Sequence, residues 1–121
     1  MNTTIRASIS LVLLTALGCS QQSRSESQAI KEVERFLVAG MSVDQAKMEV
    51  SRRKFRDVRV NDDQGVWIRS QNEVIGERSI QFTYDDYWEG FLRRANITVS
   101  VAFDEEGRLL MVSARKTVDA P

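Results

Sequence analysis

The chain contains no histidine, a single cysteine, a single proline and only 7% aromatic residues among its 121 positions. Without histidine there is no Ser-His-Asp or Cys-His nucleophile system and no imidazole ligand for a metal. One cysteine forms no internal disulfide and leaves no thiol pair for zinc or redox chemistry. Neither sign of charge dominates, since 17 Lys and Arg stand against 17 Asp and Glu. No strong field therefore draws the chain to nucleic acid or to an anionic surface. Gly-rich phosphate loops and internal repeats are also absent from the sequence. The proline is Pro121, so no strand is interrupted by one. These absences lead to an expectation of no cofactor, no metal, no nucleic-acid partner and no catalytic residue, which argues against an enzyme.

What is present begins with a leader. Arg6 is the only charge before Cys19, and behind it runs the apolar segment ASISLVLLTALG, Ala7 to Gly18. A basic start, a short apolar run and a small residue at the cut site make a secretory signal. The run is too short to cross a bilayer, which takes about 20 apolar residues. Ala16-Leu17-Gly18-Cys19 resembles the lipobox of bacterial lipoproteins, with Ala16 where that family usually carries leucine. The resemblance implies cleavage before Cys19, a diacylglycerol on its thiol and a fatty acid such as palmitate on its new amino group. Ser20 follows, where an aspartate often marks retention in the inner membrane. This favours the outer membrane, with the domain facing the periplasm.

The organisation expected is a signal peptide over residues 1–18, a lipidated cysteine and polar tether over 19–26, one α+β domain over 27–118 and a tail at 119–121. Ala29, Ile30, Val33, Phe36 and Leu37 recur at helical spacing, with Ser25 or Ser27 placed to cap the start and Gly40 to end the helix. Ser42 and Gln45 make a capping box for a second helix, whose apolar stripe is Val43, Ala46 and Val50. Met48 lies off that stripe and suggests a second core contact. After Phe55 the period becomes two. Short strands are read on either side of Asn61–Gln64, then over Ser79–Tyr84 and Ala95–Phe103. A turn at Asp104–Gly107 leads into a last strand, where Leu109 and Met111 are expected to share a face with Phe103 and Val101. The fold class is α+β, with two helices packed on one face of a three- to five-stranded antiparallel sheet.

Together with Cys19, the segment Gly40-Met41-Ser42-Val43-Asp44-Gln45 resembles the SmpA/OmlA (BamE-like) lipoproteins and the wider β-lactamase-inhibitor-like fold group. In those families Gly-Met-Thr/Ser with a following Gln or Glu opens the second helix. Leu-Gly-x-Pro usually comes next, where this chain has Glu49-Val50-Ser51-Arg52. The resemblance implies a small non-catalytic envelope domain that binds or scaffolds another envelope protein. The inhibitor-like folds imply the alternative of an inhibitory or ligand-binding module for a soluble partner.

Two clusters are candidates for partner binding. Tyr84–Phe91 is rich in aromatics and acids and is expected at a hairpin tip, with Tyr87, Trp88 and Phe91 as contact residues. The competing expectation, favoured because large aromatics are mostly buried, is that Tyr87 and Trp88 cover one end of the core. Arg52 and Arg53, with Lys54, Arg56 and Arg59, form a basic cluster suited to phosphates or an acidic partner, or simply to a helix C-terminus. Asp85, Asp86 and Glu89 read as solvated loop acids rather than a catalytic carboxylate pair, and Asn61–Gly65 as a turn rather than a calcium loop. The lipobox makes a direct prediction. Metabolic labelling with a clickable fatty acid should mark the wild-type chain, and Cys19→Ala should lose the label and leave the membrane fraction.

Overall fold

The computed structural model describes residues 25–119. Cys19 and the residues before Ser25 lie outside the described residues, as do residues 120–121. Two helices precede six strands: α1 (Glu26–Val33), α2 (Val43–Arg52), β1 (Arg56–Asn61), β2 (Val66–Ile68), β3 (Glu73–Ile75), β4 (Arg78–Trp88), β5 (Arg94–Phe103) and β6 (Leu109–Asp119). The order α, α, then strands is that of an α+β chain.

Both helices start on capping boxes. The Ser25 side chain accepts from the Gln28 backbone N–H at 3.2 Å, and Gln28 Oε1 accepts from the Ser25 N–H at 3.1 Å. Ser42 and Gln45 repeat the arrangement at 3.2 Å each way. Satisfying two orphan donors at once is what selects these starts. α1 stops earlier than its apolar stripe. The Arg35 and Phe36 N–H groups bond three residues back, to Glu32 and Val33, and this tighter winding still buries Leu37. Gly40 therefore does not end the helix. Its N–H donates to the Leu109 carbonyl at 2.9 Å, and the Leu109 N–H donates to Met41 at 2.8 Å. A further bridge joins Ser42 to Arg108. The link between the helices thus lies along the start of β6 as a strap.

Four strands form one antiparallel sheet in the order β1-β4-β5-β6, and β2 and β3 form a separate two-stranded sheet. Six strands exceed the three to five expected. β1 and β2 do not pair across Asn61–Gln64. β1 pairs with β4, and β2 pairs with β3, a three-residue strand too short to show an alternating pattern. The close approach of this small hairpin to the main sheet depends on Gly76. It sits at φ +83°, and a Cβ there would meet the Phe103 carbonyl oxygen at 2.7 Å, so only glycine fits without displacement.

The core lies where the alternation places it. Ala95, Ile97, Val99, Val101 and Phe103 of β5 are all fully buried. Ile80, Phe82, Val99, Val101 and Phe103 join Val33 and Leu37 from the α1 region and Ala46 and Val50 of α2 in one cluster. Phe55 extends it, stacking on Phe82 at 4.6 Å and on Phe36 at 6.0 Å between ring centroids. Met48 contributes nothing to it, since it is 72% exposed.

Two β-bulges re-aim side chains. One lies between Thr83 and Asp85, so that Asp85 faces Ile97, Tyr87 faces Ala95, and Trp88 faces Arg94. Simple alternation would carry Ile80, Phe82 and Tyr84 on to Asp86 and Trp88. The extra residue turns Asp86 and Trp88 to the opposite face. The other interrupts the β5–β6 pairing. Leu109 pairs with Phe103, Met111 with Ala102 and Val112 with Val101. Leu109 therefore stays in the core, but Met111 leaves the face of Val101 and Val112 takes its place.

This packing separates two substitutions of similar size. Phe82→Ala should cost about 3–5 kcal/mol by loss of contacts and cavity formation, whereas Met48→Ala should change stability by less than about 0.5 kcal/mol. Denaturant unfolding of the two variants checks both.

Candidate functional site

The β4–β5 hairpin carries the first candidate surface. Its ladder runs out to the Trp88–Arg94 pair, and the Glu89 N–H then donates to the Arg93 carbonyl at 2.8 Å. The short loop beyond presents Phe91, 88% exposed, and Leu92, 53% exposed, next to Trp88 at 65%. Leu92 holds φ +60°, a conformation that a bulky residue adopts at a cost.

The sequence candidates divide here. Trp88 and Phe91 are exposed and share the tip. Trp88 does not cover the core, because the bulge before it reverses its face. Tyr87 is half-buried on the helix side, with the Lys116 ammonium 5.8 Å from its ring centre. Tyr84 to Trp88 belong to β4 rather than to the loop, which is only Glu89–Arg93. Arg52 and Arg53 stand apart, at the end of α2. Arg52 grips Glu49 at 2.9 Å, and the Arg53 guanidinium lies 3.9 Å from the centre of the Phe36 ring. Both are engaged within the helical layer, as a helix C-terminus favours.

Two of the three acids, Asp86 and Glu89, are ion-paired. Asp86 accepts from Arg94 at 2.7 and 2.8 Å and from Arg56 at 3.2 Å. The Arg94 hydrogen bonds, aided by Arg56, outweigh partial burial and hold its carboxyl near 2, below the ordinary 3.8. Arg94 is raised in turn. Glu89 pairs with Lys116 at 2.8 Å, which together with Tyr87 raises the lysine pKa. The Asp86 carboxylate, held ionised by its two arginines, makes a poor general acid.

The second surface is one the sequence reading missed. The sheet face opposite the core is lined by Ser79, Gln81, Thr98, Ser100, Ser113, Arg115 and Thr117, and the β2–β3 hairpin stands over it with Val66 and Trp67. Together they enclose an open trough of about 440 Å³. A second depression of about 420 Å³ shares Trp67, Ser113 and Arg115. Ser79 donates to the Gln64 carbonyl at 2.8 Å and helps fix the hairpin. Trp67 is 55% exposed. The signal for it was present as the alternation itself: Thr98, Ser100, Ser113, Arg115 and Thr117 fill the polar positions of long strands. What was hidden is that a hairpin crosses that face.

Among the described residues no group of His, Cys, Asp and Glu is placed to hold a metal ion. No described helix is long and apolar enough to cross a membrane. No family model, curated protein or solved structure matched the chain.

The Asp86 pairing gives a prediction in acid. Its depressed pKa adds stability that is fully present above about pH 4 and is lost as pH falls towards 2. Thermal melts of Asp86→Asn should start lower at neutral pH and fall less between pH 4 and 2 than those of the wild type. Because the pair is near the surface, added salt should shrink the difference.

Proposed function

We propose that this chain is a lipid-anchored bacterial envelope protein whose small, non-catalytic domain binds another envelope protein, facing the periplasm from the outer membrane. The anchor reading rests on the leader and on Cys19. Kinship with the SmpA/OmlA lipoproteins belongs to the same proposal and rests on Gly40–Gln45 and on the order of elements, two helices and then antiparallel strands. Packing of both helices on one sheet face is supported by the single core cluster they share with β4, β5 and β6.

The observation that carries partner binding is the trough beneath Trp67. An exposed tryptophan and an exposed arginine, the residue types that dominate interface energetics, stand over a row of small hydroxyl and amide side chains. Gln81, Ser100, Ser113, Arg115 and Thr117 make no side-chain hydrogen bond among the described residues. Adaptable polar groups around a rigid aromatic anchor are the composition of binding surfaces that recognise proteins. A soluble partner would fit the same surface, which keeps the inhibitory or ligand-binding reading as the second one. The anchor favours a partner that shares the envelope.

Crosslinking in native membranes with the lipidated protein, followed by affinity capture, tests this proposal. Wild type should capture a defined envelope protein. Trp67→Ala and Arg115→Ala should each lose at least about tenfold in capture, equivalent to about 1.4 kcal/mol, with melting temperatures close to wild type. Undiminished capture by both variants would sink the assignment of this surface.

A further inference from the structure

The exposed hairpin tip and the start of the folded chain lie at the same end of the molecule. Glu26, the first residue of α1, accepts the Lys116 backbone N–H at 2.7 Å through Oε2. The Lys116 ammonium donates to Glu89 at 2.8 Å, and Glu89 opens the loop that presents Phe91 and Leu92. One lysine residue, through its backbone N–H at one partner and its ammonium at the other, therefore bridges the beginning of α1 and the base of the tip. An anchor on Cys19 connects to Ser25 through five intervening residues, and those six peptide steps span at most about 22 Å when fully extended. Such a tether holds this end of the domain, rather than the Gly107 end, against the bilayer.

We propose that the Trp88–Phe91–Leu92 tip inserts into the interfacial layer of the same bilayer that receives the anchor, so that the domain is held at two points. This rests on the lipoprotein reading above. Three large apolar side chains, Trp88 at the end of β4 and Phe91 and Leu92 in the loop after it, stand exposed within five positions, with Phe91 88% exposed. Tryptophan is favoured at the headgroup boundary, where its ring enters and its N–H stays wet, and phenylalanine and leucine make up the apolar side of segments that lie in that layer. The hydrogen-bonded ladder behind the loop makes it a stiff wedge.

A protein partner fits this tip less well. A stable interface buries about 800 Å² on each side, far more than the end of a five-residue loop presents, whereas a bilayer needs no matching surface. Charge also specifies the mode of insertion. Asp85, Asp86 and Glu89 offset Arg93, Arg94 and Lys116 in formal charge. The contact is therefore apolar, and neither salt nor anionic lipid should alter it much.

The test uses the lipidated full-length chain carrying Trp67→Phe. Trp88 is then the sole tryptophan of the two in the sequence. The protein is reconstituted into vesicles of phosphatidylethanolamine and phosphatidylglycerol with or without brominated acyl chains. Trp88 emission should shift to the blue and be quenched by the bromolipid, equally at low and high salt. Phe91→Ser with Leu92→Ser should abolish the quenching while the acyl mass on Cys19 stays in place. Unquenched Trp88 in a chain that carries the acyl mass overturns tip insertion and leaves the lipoprotein reading standing. An unmodified Cys19 overturns both. A photoreactive side chain at position 91 in native envelopes should yield lipid adducts, and a protein adduct in their place overturns the proposal.

Discussion

The ladder between β4 and β5 is the constraint on which the rest of this structure depends. It runs from the Arg78–Phe103 pair to the Trp88–Arg94 pair. Because successive side chains point to opposite faces, this register puts Ala95, Ile97, Val99, Val101 and Phe103 of β5 on one side and Thr98, Ser100 and Ala102 on the other. The first side creates a surface that the helices must cover. The second creates the hydroxyl-lined floor beneath Trp67. The far end of the same ladder projects the apolar loop beyond the body of the domain. A slip of one residue would exchange core and trough together, which explains why β5 is so strictly patterned.

Much of this was legible in the residues. The capping box at Ser42 and Gln45, the first part of the α1 stripe at Ala29 and Val33, the alternation of β5 and the left-handed glycine at 107, with φ +77°, all have local causes, and each appears as expected. What was not legible comes from single extra residues. The bulge after Thr83 costs the sequence no visible pattern, yet it moves Trp88 from the covered face to the open one. The bulge near Leu110 likewise exchanges Met111 for Val112. Gly40 reads as a helix stop by composition, but tertiary hydrogen bonds to Leu109 give it a different task. The pairing of β2 with β3 was hidden because three residues carry too little period to compete with noise.

The candidate site was legible to a different degree. Aromatics in the Tyr84–Phe91 segment drew attention by composition, and two of them, Trp88 and Phe91, are indeed exposed. The basic run at Arg52 and Arg53 drew attention too, but its charges are already occupied by Glu49 and by the Phe36 ring. The trough was missed because its residues are ordinary taken one at a time. They become a surface only when strands distant in sequence lie side by side and a hairpin folds across them. If both proposals hold, the two surfaces divide the labour. The tip sets how the domain sits on the lipid, and the opposite sheet face remains open to a partner.

The strap formed by residues 34–42 has a consequence for crowding. An outer strand with unmet amide groups invites another chain to extend the sheet. Here Gly40 and Met41 occupy the Leu109 end of β6, and Glu26 engages Lys116 further along the same strand. The opposite border, β1, is broken by its own irregular register between Arg56 and Arg59. Molecules confined to a plane meet far more often than molecules diluted in a volume. For a domain held in a plane by the anchor proposed above, sheet margins covered in this way would oppose runaway polymerisation and leave the tryptophan-bearing face as the proposed route to company.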